Sequence, residues 1–117
     1  MEKMNIPALT VVDLHLQAKE SNSYTNFPLN LVNDHVVRMS IMTEPFYWHF
    51  HPNSDESFLV VEGSLCIDLE THTVELFPGQ LFTIPENTRH RTRPKGERSV
   101  NLTFESQNME TIKIEIT

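Results

Sequence analysis

This sequence predicts an all-β fold, an antiparallel sandwich or barrel, and three observations lead to it. Short runs of alternating apolar and polar residues recur at even spacing, clusters of Gly, Pro, Asn, Asp and Ser separate them, and no stretch carries a convincing helical period. A chain of 117 residues has the length of one domain (1–117) and buries roughly two thirds of its unfolded surface in a single core.

In chain order, residues 8–16 predict an opening strand with Pro7 at its start, a position where a missing N–H does little harm. Residues 17–30 are polar and rich in turn formers, with Ser21, Asn22, Ser23 and Pro28, and predict a loop. From His35 to Met42, Val37, Met39 and Ile41 alternate with Val36, Arg38, Ser40 and Met42, a strand period that Glu44-Pro45 ends. A strand carrying Trp48 to His51 follows, and Pro52 to Asp55 reverse the chain. Residues 57–62 return, and Gly63 supplies the next turn because it takes positive φ without a Cβ penalty. Runs at 65–69, 74–77, 80–84, 89–93, 99–105 and 111–116 complete the set. Val100, Leu102 and Phe104 alternate cleanly, as do Ile112, Ile114 and Ile116 against Lys113 and Glu115, so both runs are expected to be half-buried. A terminal strand leaves an unpaired edge, and a second copy of the chain can cover it; a homodimer is expected.

Charge and composition narrow the function classes. A net charge of -7 and a pI near 5.2 repel phosphate, which argues against a general nucleic-acid or anionic-membrane binder. No basic-then-apolar leader and no apolar run of about 18 residues is visible, so the expected location is the cytoplasm. Cys66 is the one cysteine, which excludes an intramolecular disulfide; between Leu65 and Ile67 it reads as a buried strand thiol. With three glycines there is no phosphate-cradling loop, and neither a Ser-His-Asp nor a Cys-His arrangement has local support. No helix-turn-helix is present. Five of the nine basic residues, Arg89, Arg91, Arg93, Lys95 and Arg98, fall within ten positions. On a strand the first three face away from His90, which predicts an outer stripe paired with Asp68, Glu70 or Glu75, or else a docking patch for an anionic partner.

The chemistry concentrates around Trp48-His49-Phe50-His51. His49 and His51, two apart on a strand, project to the same side, and the reversal at 52–55 brings Glu56 back alongside them. A later hairpin offers His90. Three imidazoles and a carboxylate form a mixed N/O set that suits a divalent transition metal, Fe, Mn, Ni, Cu or Zn, better than Ca or Mg. Tyr47 shares the register of His49 and His51, Phe58 and Val60 that of Glu56, and Thr88 and Thr92 that of His90. They predict a largely apolar pocket with a few hydroxyls for a small-molecule ligand, although Tyr47 and Phe58 fit core packing equally well. Arg38 interrupts an apolar strand and is a candidate clamp for a substrate carboxylate or phosphate. His15, His35 and His72 lie outside this constellation.

His49, His51, Glu56 and Gly63, followed by Gly79, Pro85, Asn87 and His90, resemble the two motifs of a small single-domain cupin. The resemblance spans about residues 36–104. Asn87 stands where the family usually has glycine, a tolerable exchange because Asn enters left-handed backbone readily; Pro94 replaces an asparagine that is not a ligand in the family. The resemblance narrows the fold to a jelly-roll barrel, or double-stranded β-helix. It implies that His49, His51, Glu56 and His90 ligate a metal with positions left open, with Glu56 either a ligand or a catalytic proton shuttle. It also implies homodimers built by packing or exchanging end strands. Dioxygenase, isomerase, decarboxylase and lyase chemistries are equally compatible with it, as are a non-catalytic ligand-binding or sensing module and a metal-free sugar-binding cupin.

Overall fold

Alternating side chains place ten strands in two five-stranded sheets in the computed structural model, which describes residues 8–19 and 21–115. After a short helix, α1 (Leu14–Ala18), come β1 (Thr25–Val32), β2 (His35–Met42), β3 (His49–Phe50), β4 (Glu56–Glu62) and β5 (Leu65–Leu69). The second half holds β6 (Thr73–Leu76), β7 (Leu81–Ile84), β8 (His90–Pro94), β9 (Ser99–Ser106) and β10 (Ile112–Lys113). One sheet has the order β1-β2-β9-β4-β7, the other β10-β3-β8-β5-β6, and the ladders are antiparallel. This is the antiparallel sandwich that the alternation predicts, in the double-stranded β-helix form that the resemblance implies.

Both faces of the first sheet are covered, and the two faces differ. On β2, Met39 and Ile41 point outward and join Leu29, Val100, Leu102 and Ala18 in an apolar cluster outside the sandwich. Val36, Arg38, Ser40 and Met42 point inward. Between the sheets, Met42, Phe58, Val60 and Ile84 from the first sheet pack on Leu65, Ile67 and Leu76 from the second. Leu65 and Ile67 are fully buried, and each contributes about 1.5–3 kcal/mol relative to an exposed side chain. Along each inward face the chemistry changes. On β2 it runs from Arg38 to Met42, and on β4 from Glu56 through Phe58 to Val60, so one end of the sandwich is an apolar plug and the other is polar and hollow.

Three expectations give way here. Residues 8–16 do not form a strand: Asp13 accepts a hydrogen bond from the Leu16 amide at 3.0 Å and starts α1, whose Ala18 seats against the outer cluster with Val12 and Leu14 beside it. The predicted loop at 17–30 is strand from Thr25 onward. Pro28 is tolerated because β1 is an edge strand, and the register slips between Pro28 and Asn30, which leaves Leu29 bulged into the outer cluster. At the C-terminal end only Ile112 and Lys113 pair, with Phe50 and His49, and Ile112 is exposed rather than half-buried; Ile116 lies outside the described residues. Val100 and Leu102 are buried, and so is Cys66.

The basic run forms the predicted outer stripe. Asp68 accepts from Nε and Nη2 of both Arg91 and Arg93 at 2.9–3.0 Å and from Thr73, while Lys95 pairs with Glu75. Arg93 above all holds the Asp68 carboxyl well below the usual carboxylate range. Arg98 turns elsewhere, donating to Glu62 and to the carbonyls of Ala18 and Ser21, which ties the N-terminal segment to the sandwich.

Two glycines with positive φ make different demands. At Gly63 (φ 75°) an added Cβ would overlap the Arg98 carbonyl, whereas at Gly79 (φ 86°) it would meet nothing within 4 Å. Gly79→Ala is expected to cost about 1 kcal/mol from the backbone alone, and Gly63→Ala at least about 2 kcal/mol more, read from urea unfolding midpoints. Equal losses would contradict the close approach at Gly63.

Candidate metal centre

The four predicted ligands converge. β3 is only two residues long, and its single pairing with β8 sets His49 directly opposite His90. His51 follows on the same face, and the reversal after it is held by its own polar side chains. Asn53 Nδ2 donates to the Asn108 carbonyl at 2.9 Å and Asn53 Oδ1 accepts from the Glu110 amide at 2.8 Å. Ser54 Oγ accepts from the Ser106 amide at 3.1 Å, and Asp55 Oδ1 from the Glu86 amide at 2.9 Å. The Asn87 amide donates to the His51 carbonyl at 2.8 Å, and Asn87 takes the left-handed φ of 67° that its family position calls for. This web returns Glu56, at the start of β4, to the histidines.

All four side chains are buried, and their ligand atoms lie within 4.8 Å of one another. Each ring turns its Nδ1 to a backbone carbonyl: His49 to Tyr47 at 2.8 Å, His51 to Glu110 at 2.9 Å and His90 to Thr88 at 2.8 Å. A carbonyl only accepts, so Nδ1 carries the proton and Nε2 is the atom left to face the centre. His51 Nε2 is 3.1 Å from Glu56 Oε1, while His90 Nε2, at 3.6 Å from the same oxygen, has no hydrogen-bond partner among the described residues and is fully buried. Ligands of one ion lie at most about 4.2 Å apart, twice a metal–nitrogen distance of about 2.1 Å, so the widest pair has about half an ångström to close. The residues fit a divalent metal ion, and the cluster could hold one.

The electrostatics are those of a closely packed, buried set. Burial, and then the neighbouring His90, lower the His49 pKa to about 4. Burial would lower that of His51 as well, but the Glu56 carboxylate outweighs it and the net shift is upward. Burial would raise Glu56, yet the His51 and His90 rings beside it hold its carboxyl below the ordinary range.

Beside the cluster lies a cavity of about 270 Å³. Of the four pocket candidates, Arg38 and Phe58 line it; Tyr47 and Thr88 do not. Tyr47 is exposed and stacks on Phe46, with ring centroids 4.1 Å apart, and it is Phe46 that reaches the cavity. Both Tyr47 and Thr88 act through their carbonyls, which orient His49 and His90. The lining is more polar than the sequence suggests: Val36, Phe46, Phe58 and Met109 are its aliphatic and phenyl members, against Asn26, Ser40, Thr92, Thr103, Glu105, Ser106, Gln107 and Thr111. Arg38 is not free to act as a bare clamp, because its Nε sits 3.3 Å from Glu105 Oε2. Glu105 was not legible as a site residue, since the alternation in β9 draws attention to Val100, Leu102 and Phe104. Those three face the outer cluster, and the intervening polar residues Thr103 and Glu105 face the cavity. Burial, and then the charge of Glu56, raise the Glu105 pKa.

A double-stranded β-helix with three imidazoles and a carboxylate gathered at its hollow end defines a cupin. Residues 37–104 match the cupin domain model, and the chain belongs to that family. It is 44% identical to YdbB of Bacillus subtilis (strain 168) over 93 residues, 79% of this chain and 81% of that one. Among solved structures it is similar to a cupin-2 domain containing protein from Shewanella frigidimarina NCIMB 400 (TM-score 0.77, 22% identity, 83% of this chain and 95% of that one). A conserved protein with a double-stranded β-helix domain from Klebsiella pneumoniae also aligns (TM-score 0.74, 16% identity, 91% of this chain and 97% of that one).

The tautomers are directly measurable. Long-range ¹H–¹⁵N spectra of the metal-free protein are expected to place protons on Nδ1 of His49 and His90. A lowered pKa keeps the neutral form at more acid pH, so His49 should stay neutral until the pH falls to about 4. Protons on Nε2, or titration of His49 near 6.5, would show rings turned away from the centre.

Proposed function

We propose that this cupin binds one divalent transition metal, Fe, Mn, Ni, Cu or Zn, through His49, His51, Glu56 and His90, and that it takes and converts a small molecule in the adjoining cavity. The observation that carries this is the set of Nδ1-to-carbonyl hydrogen bonds, which leaves three Nε2 atoms gathered beside Glu56, with His90 Nε2 buried and without a partner among the described residues. Bound there, the metal supplies a Lewis acid with coordination positions for a ligand donor. The chain's own residues do the rest. The carbonyls of Tyr47, Thr88 and Glu110 fix the rings, and Phe46 and Phe58 keep part of the cavity dry. Glu56 Oε1, 3.1 Å from His51 Nε2, is placed to hold a proton and to hand it on. Arg38 and Phe58 contact the ligand.

Elemental analysis of the purified, untagged protein is expected to find near one equivalent of a single transition metal, lost in His51→Ala and His90→Ala variants whose circular dichroism matches the parent. No metal in the parent, even after incubation with each candidate ion, would remove the metal reading and leave the metal-free, sugar-binding one. A ligand that binds at the metal and is recovered unchanged would make the protein a sensing or binding module.

We also infer a cytoplasmic homodimer. The unpaired thiol of Cys66 is at home in a reducing compartment, and β10 leaves a short, partly exposed sheet edge at Ile112. Light scattering at micromolar concentration should give twice the chain mass of 13.6 kDa, and a monomeric mass would reject the dimer.

A further inference from the structure

The cavity holds one more buried ionisable group than the metal cluster uses. Glu105, on β9, is 3% exposed and lines the cavity. Its Oε2 faces Arg38 Nε at 3.3 Å; its Oε1 makes no well-formed hydrogen bond among the described residues, the Thr103 hydroxyl on the same wall being its polar neighbour. A buried oxygen left without a donor costs about 1–3 kcal/mol, and more when charged. At a cavity wall, that cost is relieved by whatever enters: water first, and then a ligand atom that reproduces the water's hydrogen bond.

The charges facing the same space restrict what that atom can be. β4 and β9 are neighbours in one sheet and pair Ser57 with Phe104, so Glu56 stands beside Glu105 on the cavity wall, and a carboxylate or phosphate placed against Glu105 would meet two carboxyl groups. Arg38, the cation beside them, is already turned to Glu105, with its Nη1 3.5 Å from Asn26 Oδ1. An ammonium placed there would lie close to the Arg38 guanidinium, and the His51 ring lines the same space. A neutral donor meets neither objection.

We propose that Glu105 is the specificity-determining residue of this cavity, its Oε1 accepting a hydrogen bond from a ligand hydroxyl, so that the ligand is a hydroxylated molecule such as a sugar, polyol or phenol. The inference rests on the reading that the cavity takes a small molecule, but not on the presence of the metal. Replacing a hydroxyl by fluorine removes the donor at nearly constant size, which permits a cycle of ligand change against protein change.

The probes are D-glucose with its monofluoro-deoxy analogues, and catechol with 1,2-difluorobenzene. Their dissociation constants are measured by ligand-observed NMR on zinc-loaded and metal-stripped parent and on Glu105→Gln. The variant keeps an oxygen for Arg38, and its fold and metal content are checked by circular dichroism and elemental analysis. In the parent, fluorination at one position of a binding probe is expected to weaken binding at least tenfold, and in Glu105→Gln no more than about twofold. Metal chelation by a hydroxyl contributes equally to both proteins and cancels. The same fluorination penalty in both proteins, or no binding by any hydroxylated probe, overturns the proposal. If the penalty depends on Glu105 in metal-stripped protein that elemental analysis shows to bind no metal specifically, the hydroxyl site stands and the metal reading fails. One equivalent of metal without that dependence gives the reverse.

Discussion

Three backbone carbonyls govern this molecule. Those of Tyr47, Thr88 and Glu110 each take the Nδ1 proton of one histidine, and without them the imidazoles would be free to rotate, exchange tautomers and satisfy one another. With them, the rings stay packed 4.2–5.4 Å apart by centroid, at a separation that would be unfavourable for three charged groups and is workable for neutral ones. The remainder of the fold can be read as the means of bringing those carbonyls into place. β3 and β8 pair at a single position to oppose His49 and His90, and the chain after β9 returns far enough to set Glu110 beside His51.

A second constraint is the division of the sandwich into a dry end and a hollow one. Leu65, Ile67 and Val60 close one end, where a polar group would be stranded, while His90 and Glu105 occupy the other. The strands cross both zones, so a step of two residues along β2 or β4 moves a side chain from site to core. Stability and chemistry therefore share the same strands but use different rungs of them. The apolar cluster outside the first sheet adds support that does not compete with the cavity for space.

Much of this was legible in the chain. Alternation locates β2 and β5 to the residue, and the spacing of His49, His51, Glu56 and His90 anticipates the cluster because a strand's period of two leaves little freedom in where those side chains point. What misled was local. Asp13 is a weak signal beside the apolar residues around it, and only the cap it makes reveals a helix. Pro28 argues against a strand unless one knows that β1 lies at an edge. In β9 the apolar residues suggest a core-facing side, and only a sheet buried on both faces makes the polar side the inner one. Tyr47 shares the parity of His49, but β3 begins after it, so strand parity does not extend to its side chain.

The bond from His51 to Glu110 spans 59 positions and joins the middle of the chain to the segment that leads into β10. That strand pairs through only two residues, so it is among the shortest-lived elements of the sheet. Glu110 lies just before it and is also held by Asn53, so a fluctuation that lifts the strand reaches the acceptor that orients one ligand ring only through that anchor. The order of this segment and the order of the centre are thus linked, because one hydrogen bond belongs to both.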